Sequence, residues 1–306
     1  MQNQPFPSLS SFNTTSIPSV AITGATGQLG RLLLEQLVID VPATRVVALA
    51  RDAAKAAELA RHGASVRVAS YDDPAALARS LVGVDRLLLI SSSELGRRVA
   101  QHRNVIDAAK RSGVSLLVYT SLLHADTSPL SLASEHVETE RLIRMSGLPF
   151  IILRNGWYTE NYTVSIPAAR ANRAFLGSAG NGRISWAARA DYAAAAKVAL
   201  TGGVEPGTYE LAGDDAGTLR DLAAEITRQT GEDIPYRDLP EAEFCGALLK
   251  GGFPAPLAAG FAAWDVDAAH GALLDESRTL SRLIGRPTTS LAESVRQALT
   301  QARFQS

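Results

Sequence analysis

Short apolar runs alternate with amphipathic helical stretches from Pro18 to about residue 155. Val20–Thr23, Arg45–Ala50, Ser65–Ala69, Arg86–Ile90, Ser115–Thr120 and Phe150–Arg154 read as strands. Most are apolar almost throughout, so both faces are expected to be covered, the mark of a parallel sheet between helical layers. Between them, apolar residues recur at helical spacing over Arg31–Ile39, Ala53–His62, Arg97–Ser112 and Ser134–Ser146. A further helix starts at Asp73-Pro74, where proline suits a first turn. Gly63, Gly113 and Gly147 end three of these helices. Crossovers between parallel strands are right-handed, so the alternation predicts a doubly wound α/β fold of Rossmann type.

After residue 155 the rhythm changes. Ala174–Leu176 and Ile184–Trp186 flank Gly180-Asn181-Gly182, which predicts a hairpin-like element. A helix is expected over Asp191–Leu200 with Asp191 as its N-cap, then a strand, Gly207–Leu211, joining the main sheet. The remainder reads as mostly helical, broken by the Gly/Pro cluster at 251–256. Residues 18–158 with 187–212 are therefore expected to form the nucleotide-binding domain, and 159–186 with 213–306 a smaller substrate lobe. Residues 1–17 carry no charged side chain and are expected to be a disordered extension.

Composition narrows the classes. Thirty basic residues against thirty-one acidic ones give a net charge of −1, which argues against nucleic acid as a partner. One cysteine, Cys245, allows no internal disulfide, and no Cys/His cluster predicts a metal site. No apolar run is long enough for a membrane span. A reducing, cytoplasmic setting is the expectation.

The stretch Ile22-Thr23-Gly24-Ala25-Thr26-Gly27-Gln28-Leu29-Gly30 follows a strand and opens a helix, the context of a dinucleotide-binding turn. Gly24 suits the tight turn, Gly27 leaves room for a pyrophosphate, and Gly30 lets helix and strand pack closely. The helix N-terminus offers free N–H groups to phosphate. The second strand ends Leu49-Ala50-Arg51, without the carboxylate of a typical NAD site at its tip. A guanidinium there predicts contact with the 2′-phosphate of NADP(H), with Arg31 or Lys55 as helpers. Ser91, Ser92 and Ser93 follow the fourth strand and Asn155, Gly156, Trp157 and Tyr158 the sixth, at the edge where such sheets bind ligands. A ligand-free turn, a surface arginine, a solvated loop and simple burial of the two aromatics are the plain alternatives to these assignments.

With Leu-Leu-Leu-Ile-Ser-Ser-Ser (87–93), Tyr-Thr-Ser-Leu-Leu-His-Ala-Asp (119–126), Arg-Asn-Gly-Trp-Tyr-Thr-Glu-Asn-Tyr (154–162) and Leu-Ile-Gly-Arg-Pro-Thr-Thr (283–289), the chain resembles the NmrA-like branch of the atypical short-chain dehydrogenases, and within it the NADPH-dependent quinone reductases. The resemblance covers all but the N-terminal extension. It implies cofactor contacts at Gly24 to Leu29, Arg51, Ser91 to Ser93 and Asn155 to Glu160, Thr159 included.

Ordinary short-chain dehydrogenases use a Tyr-x-x-x-Lys pair to move a proton. The four lysines, Lys55, Lys110, Lys197 and Lys250, have Arg51, Ile106, Ala193 and Gly246 four residues upstream. Where the pair would stand, the chain reads His136-Val137-Glu138-Thr139-Glu140. Quinone reduction tolerates this loss. Hydride addition leaves a phenolate-like anion whose conjugate acid has a pKa of about 10, far below that of an alcohol. Placement and one or two hydrogen-bond donors then suffice; His124, Tyr158 and Asn155 are the candidates, while His136 is expected to be an inert helix residue. The expected activity is direct hydride transfer from NADPH to a small quinone without flavin. The alternative is a non-catalytic NADP(H)-binding redox sensor acting through a protein partner, as in other NmrA-like proteins.

Overall fold

The computed structural model describes residues 17–303. Its first half runs β1 (Val20–Ile22), α1 (Gln28–Asp40), β2 (Val46–Ala50), α2 (Ala53–Ala60), β3 (Ser65–Val68), α3 (Pro74–Ser80), β4 (Arg86–Leu89), α4 (Arg98–Arg111), β5 (Leu116–Leu122), α5 (Ala133–Met145) and β6 (Phe150–Asn155). Then follow α6 (Glu160–Thr163), α7 (Ile166–Asn172), β7 (Phe175–Gly177), β8 (Ile184–Trp186), α8 (Arg189–Thr201), β9 (Gly207–Leu211) and β10 (Asp215–Gly217). The chain continues through α9 (Leu219–Thr230), β11 (Tyr236–Asp238), α10 (Glu241–Lys250), α11 (Ala255–Ala269), α12 (Thr279–Ile284) and α13 (Leu291–Arg303). The extension expected at 1–17 lies outside the described residues except for Ile17.

Seven strands form one sheet in the order β3-β2-β1-β4-β5-β6-β9, every neighbouring pair parallel. The order reverses direction at β1, and the crevice beside it is where a doubly wound sheet binds its ligand. Gly207–Leu211 joins the sheet as expected. Leu33, Leu34 and Leu37 of α1 and Ala193, Ala196 and Leu200 of α8 cover one face. Leu77, Val105, Ile106 and Ile143, from α3 to α5, cover the other. A third core, built on Trp157, Tyr162, Phe175, Trp186, Ile226 and Trp264, fills the lobe.

Three expectations are corrected. β7 and β8 do not pair: β7 lies parallel to β11 and β8 antiparallel to β10. Gly182 serves a close approach instead, because a Cβ there would stand 2.2 Å from the Ala268 carbonyl oxygen of α11. Asp191 is not an N-cap. The α8 helix starts at Arg189, and the buried Asp191 carboxylate accepts from Thr289 N at 2.8 Å and pairs with Arg286 at 2.7 Å. It thereby ties the 283–289 segment to the first turn of α8. Finally, α12 packs its Leu280 and Leu283 into the α1/α8 core, not into the lobe.

Polar groups are buried between α4, α5 and the sheet. His102 Nε2 accepts from Ser92 N (2.9 Å), so Nδ1 carries the proton and donates to Thr139 Oγ1 (3.0 Å). Tyr119 OH meets His136 Nδ1 at 2.7 Å. Burial pushes both imidazoles down to about 3 and the Tyr119 phenol upward, so His136 accepts and Tyr119 donates. In the lobe, burial raises the Asp265 carboxyl to about 6, against the donors Ser178 N and Tyr162 OH.

These shifts fix a pH dependence. The two lowered histidines stabilise the fold above about pH 6.5 and lose that contribution as pH falls toward 3. Asp265, raised, has the opposite sign and loses its contribution as pH rises through about 6. Between about pH 6 and 4 the two histidines outweigh Asp265 by roughly one proton bound on unfolding, so stability should fall as pH falls, by about 1 kcal/mol per pH unit. Urea unfolding at a series of pH values measures this; constant or rising stability toward low pH would contradict it.

Candidate active site

The β1–α1 turn is built as its glycines require. Gly24 takes φ +59°, and Gly27 N donates to Gly24 O at 2.9 Å. A Cβ on Gly30 would stand 2.5 Å from Gly24 O and 2.7 Å from Ala25 Cα, so only glycine permits this contact between helix and turn. On Gly27 an added Cβ would meet only Gly24 O, at 3.2 Å, and otherwise faces the cleft. No side chain caps α1 and no acid lies in its first turn, leaving the N–H groups of Gln28, Leu29 and Gly30 to an anion.

On the β2 side of the turn lies a cleft of about 260 Å³, floored by Gly24 and Gly27 and walled by Arg51, Tyr71 and Ser91 to Glu94. Arg51 reaches into it from the tip of β2 and pairs with Glu94, which also accepts from Arg97 at 3.0 Å. Asp52 faces elsewhere: its carboxylate caps α2 through Ala54 N at 2.8 Å. Arg31 is held by Thr26 O (3.0 Å) and Glu58 (2.7 Å), and Lys55 does not line the cleft. Tyr71, which the sequence reading passed over, donates to Ile90 O at 2.9 Å and contacts Thr23 Oγ1 at 2.5 Å, joining β1 to the end of β4.

Ser91–Ser93 forms a loop fixed from behind. Ser91 N donates to Thr120 Oγ1 (2.9 Å), Ser92 Oγ to Gln101 Oε1 (2.5 Å) and Arg98 Nε to Ser92 O (2.7 Å). With His102, these make three buried polar side chains on the first turns of α4. The spacing 98, 101, 102 on an inward helix face is a signal the sequence offered and the sequence reading did not use.

A second cavity, also about 260 Å³, shares Gly24, Gly27 and Ser91 and continues past Thr120 to Tyr158 and Arg189. The Tyr158 ring packs against Tyr192 (centroids 5.0 Å apart) and lies under the Arg189 guanidinium at 4.7 Å. Its hydroxyl accepts from Asn155 Nδ2 at 3.3 Å, which leaves its own hydrogen free. Burial raises the Tyr158 phenol above its ordinary range, so it remains a neutral donor.

The remaining expected residues divide. Gly156 permits a close approach, since a Cβ there would stand 2.9 Å from the Tyr192 hydroxyl. Trp157 turns away into the lobe core and packs edge-on to Trp264 at 5.4 Å. Thr159 is fully buried, and Glu160 accepts Arg189 N at 2.9 Å, at the start of α8. His124 has φ +51° and sits between Glu210 (3.7 Å) and Asp275 (3.4 Å), toward the β9 edge. Neither cavity described above includes it. At the positions of the absent Tyr-x-x-x-Lys pair, His136 faces Tyr119. Glu140 is buried, bonded by Arg154 at 2.8 and 2.9 Å and by Ser121 at 2.7 Å.

Quinone oxidoreductase 2 of Escherichia coli is 57% identical over 277 residues, spanning 90% of this chain and 97% of that protein. A family model described as NAD(P)H-binding matches residues 24–198. The chain belongs to the NAD(P)H-binding family that includes quinone oxidoreductase 2. Within that family, the crystal structure of the Escherichia coli NADPH-dependent quinone oxidoreductase complexed with NADPH superposes with a TM-score of 0.89 at 55% identity, covering 92% of this chain and 99% of that one. Citrobacter triphenylmethane reductase complexed with NADP(H) is 34% identical, with a TM-score of 0.87 over 92% of this chain and 100% of its own. An NmrA-like oxidoreductase of Aspergillus flavus is 28% identical over 92% of this chain and 95% of its own. Family membership and geometry agree on the cleft: uncapped helix N–H groups, a glycine floor and a guanidinium at the β2 tip all fit a nicotinamide dinucleotide.

Two glycine variants separate binding from folding. Gly27→Val should abolish dinucleotide binding while leaving the melting temperature near that of the parent. Gly30→Ala should lower stability by about 1–3 kcal/mol through backbone overlap. Cofactor titration and thermal melts read both; retained binding in Gly27→Val would remove the turn from the site.

Proposed function

We propose that this chain is an NADPH-dependent quinone oxidoreductase that passes hydride directly to a small quinone without flavin. The observation that carries the reading is similarity over nearly the full length to a quinone oxidoreductase at 57% identity, joined to a cleft that fits the cofactor. Relatives named as reductases, not regulators, favour the enzyme over the sensor. NADPH supplies two electrons and a hydrogen as hydride; the quinone becomes a hydroquinone monoanion, and a proton from water completes the hydroquinone.

The chain's own residues bind and orient. The first turn of α1 receives the diphosphate, and Arg51, which exchanges Glu94 for a stronger anion, receives the 2′-phosphate. The braced Ser91–Ser93 loop presents small hydroxylated residues to the ribose. Tyr158 offers its free hydroxyl hydrogen to the quinone oxygen, and Asn155 holds that hydroxyl in place. His124, held between Glu210 and Asp275, lines neither cavity, which leaves Tyr158 as the donor. No helix among the described residues is long and apolar enough to cross a membrane. With a lone free Cys245, a cytoplasmic setting fits the chain.

Arg51→Ala should weaken NADPH far more than NADH, by roughly 10- to 150-fold for loss of one charge-assisted contact of about 1.5–3 kcal/mol. Equal losses for both cofactors would show that Arg51 does not read the phosphate. The activity itself is tested by NADPH absorbance with benzoquinones, naphthoquinones and a plain ketone, without added flavin. Turnover of quinone alone is expected; tight NADPH binding with no quinone turnover would overturn the enzymatic reading.

A further inference from the structure

The arginines around the cofactor cleft are paired with carboxylates, with one exception. Arg51 has Glu94, Arg31 has Glu58 and Arg154 has Glu140. Arg189 is half-buried and lines the cavity next to Gly27, Gln28 and Tyr158, yet no carboxylate among the described residues pairs with its guanidinium. Asp191, the nearest in sequence, is taken by Thr289 and Arg286, and Glu160 accepts the Arg189 backbone N–H, at 2.9 and 3.0 Å. The single polar contact of the guanidinium is a long one, 3.4 Å to Asn161 Oδ1.

The position is also costly. Arg189 is the first residue of α8, so its charge stands beside the positive end of the helix. A partly desolvated cation in that place is retained at a loss unless an anion meets it. Tyr158 supplies a rigid seat: the guanidinium lies over one ring face, and Tyr192 supports the same ring. The planar fork is thus held with most of its N–H groups free toward the cavity.

We infer that Arg189 is an oxyanion-binding residue of this cleft. Two oxyanions are available there on the reading proposed above, on which this inference rests: the diphosphate of the cofactor and the oxygen of the quinone as hydride arrives. Both require the same chemistry, a fixed fork of donors carrying a positive charge.

Arg189→Met and Arg189→Lys separate them. Affinity is measured directly with NADPH and with 2′-phospho-ADP-ribose, which keeps the diphosphate and lacks the nicotinamide. The hydride step is measured in a single turnover with 1,4-naphthoquinone at saturating NADPH. If the diphosphate is the anion, Arg189→Met raises both dissociation constants about tenfold or more and leaves the saturated rate within about twofold. If the quinone oxygen is the anion, both constants stay within about twofold and the saturated rate falls about tenfold or more, with partial recovery in Arg189→Lys. Constants and rate all within about twofold of the parent would overturn the inference. Should the parent protein turn over no quinone, the function proposed above fails, while 2′-phospho-ADP-ribose still decides whether Arg189 holds the diphosphate.

Discussion

The Gly24 carbonyl oxygen would lie 2.5 Å from a Cβ on residue 30, closer than any side chain allows, and this contact sets the position of α1 on the sheet. With the helix held there, Leu33, Leu34 and Leu37 reach the strands, and the three free N–H groups of its first turn point over the carboxyl edge of β1. Everything that lines the cleft is arranged around that edge. The β2 tip brings Arg51, the β4 tip brings the serines, and β6 brings Asn155 and Tyr158. A looser first crossing would leave these groups on their strands without a common ligand to face.

The parallel sheet was legible because burial on both faces writes a strong signal into short strands, and right-handed crossovers leave few arrangements. The glycine turn, Arg51 and the serine loop were legible for a related reason: their roles follow from backbone position at strand tips. Long-range partners were not legible. Gly180-Asn181-Gly182 looks locally like a hairpin turn, but the nearby backbone of α11, far along the chain, accounts for Gly182. Asp191 has the local chemistry of a cap and is used by Thr289 and Arg286 instead. Trp157 sits in a stretch that otherwise faces the cleft, yet the lobe core takes its side chain. Arg189 lay outside every motif, since the property that distinguishes it is the absence of a carboxylate partner among the described residues.

Support for the cleft comes from polar groups placed inside. Arg98, Gln101 and His102 of α4 all bond Ser92, so the serine loop is shaped when the protein folds and little ordering remains for the ligand to impose. The same histidine makes the loop's support depend on its remaining neutral, and burial secures that.

Glu140 carries a wider meaning. It occupies the place where a dehydrogenase of the ordinary kind keeps its lysine, and there Arg154 grips it with two hydrogen bonds while Arg144 adds a third. Installing the proton relay of alcohol chemistry would therefore not be a single exchange at that position. A lysine there would confront two guanidinium groups and strip Ser121 of its acceptor, so the strut would have to be dismantled before the proton relay could be rebuilt. The position serves here as a strut between β5, β6 and α5, and its neighbours hold it to that use.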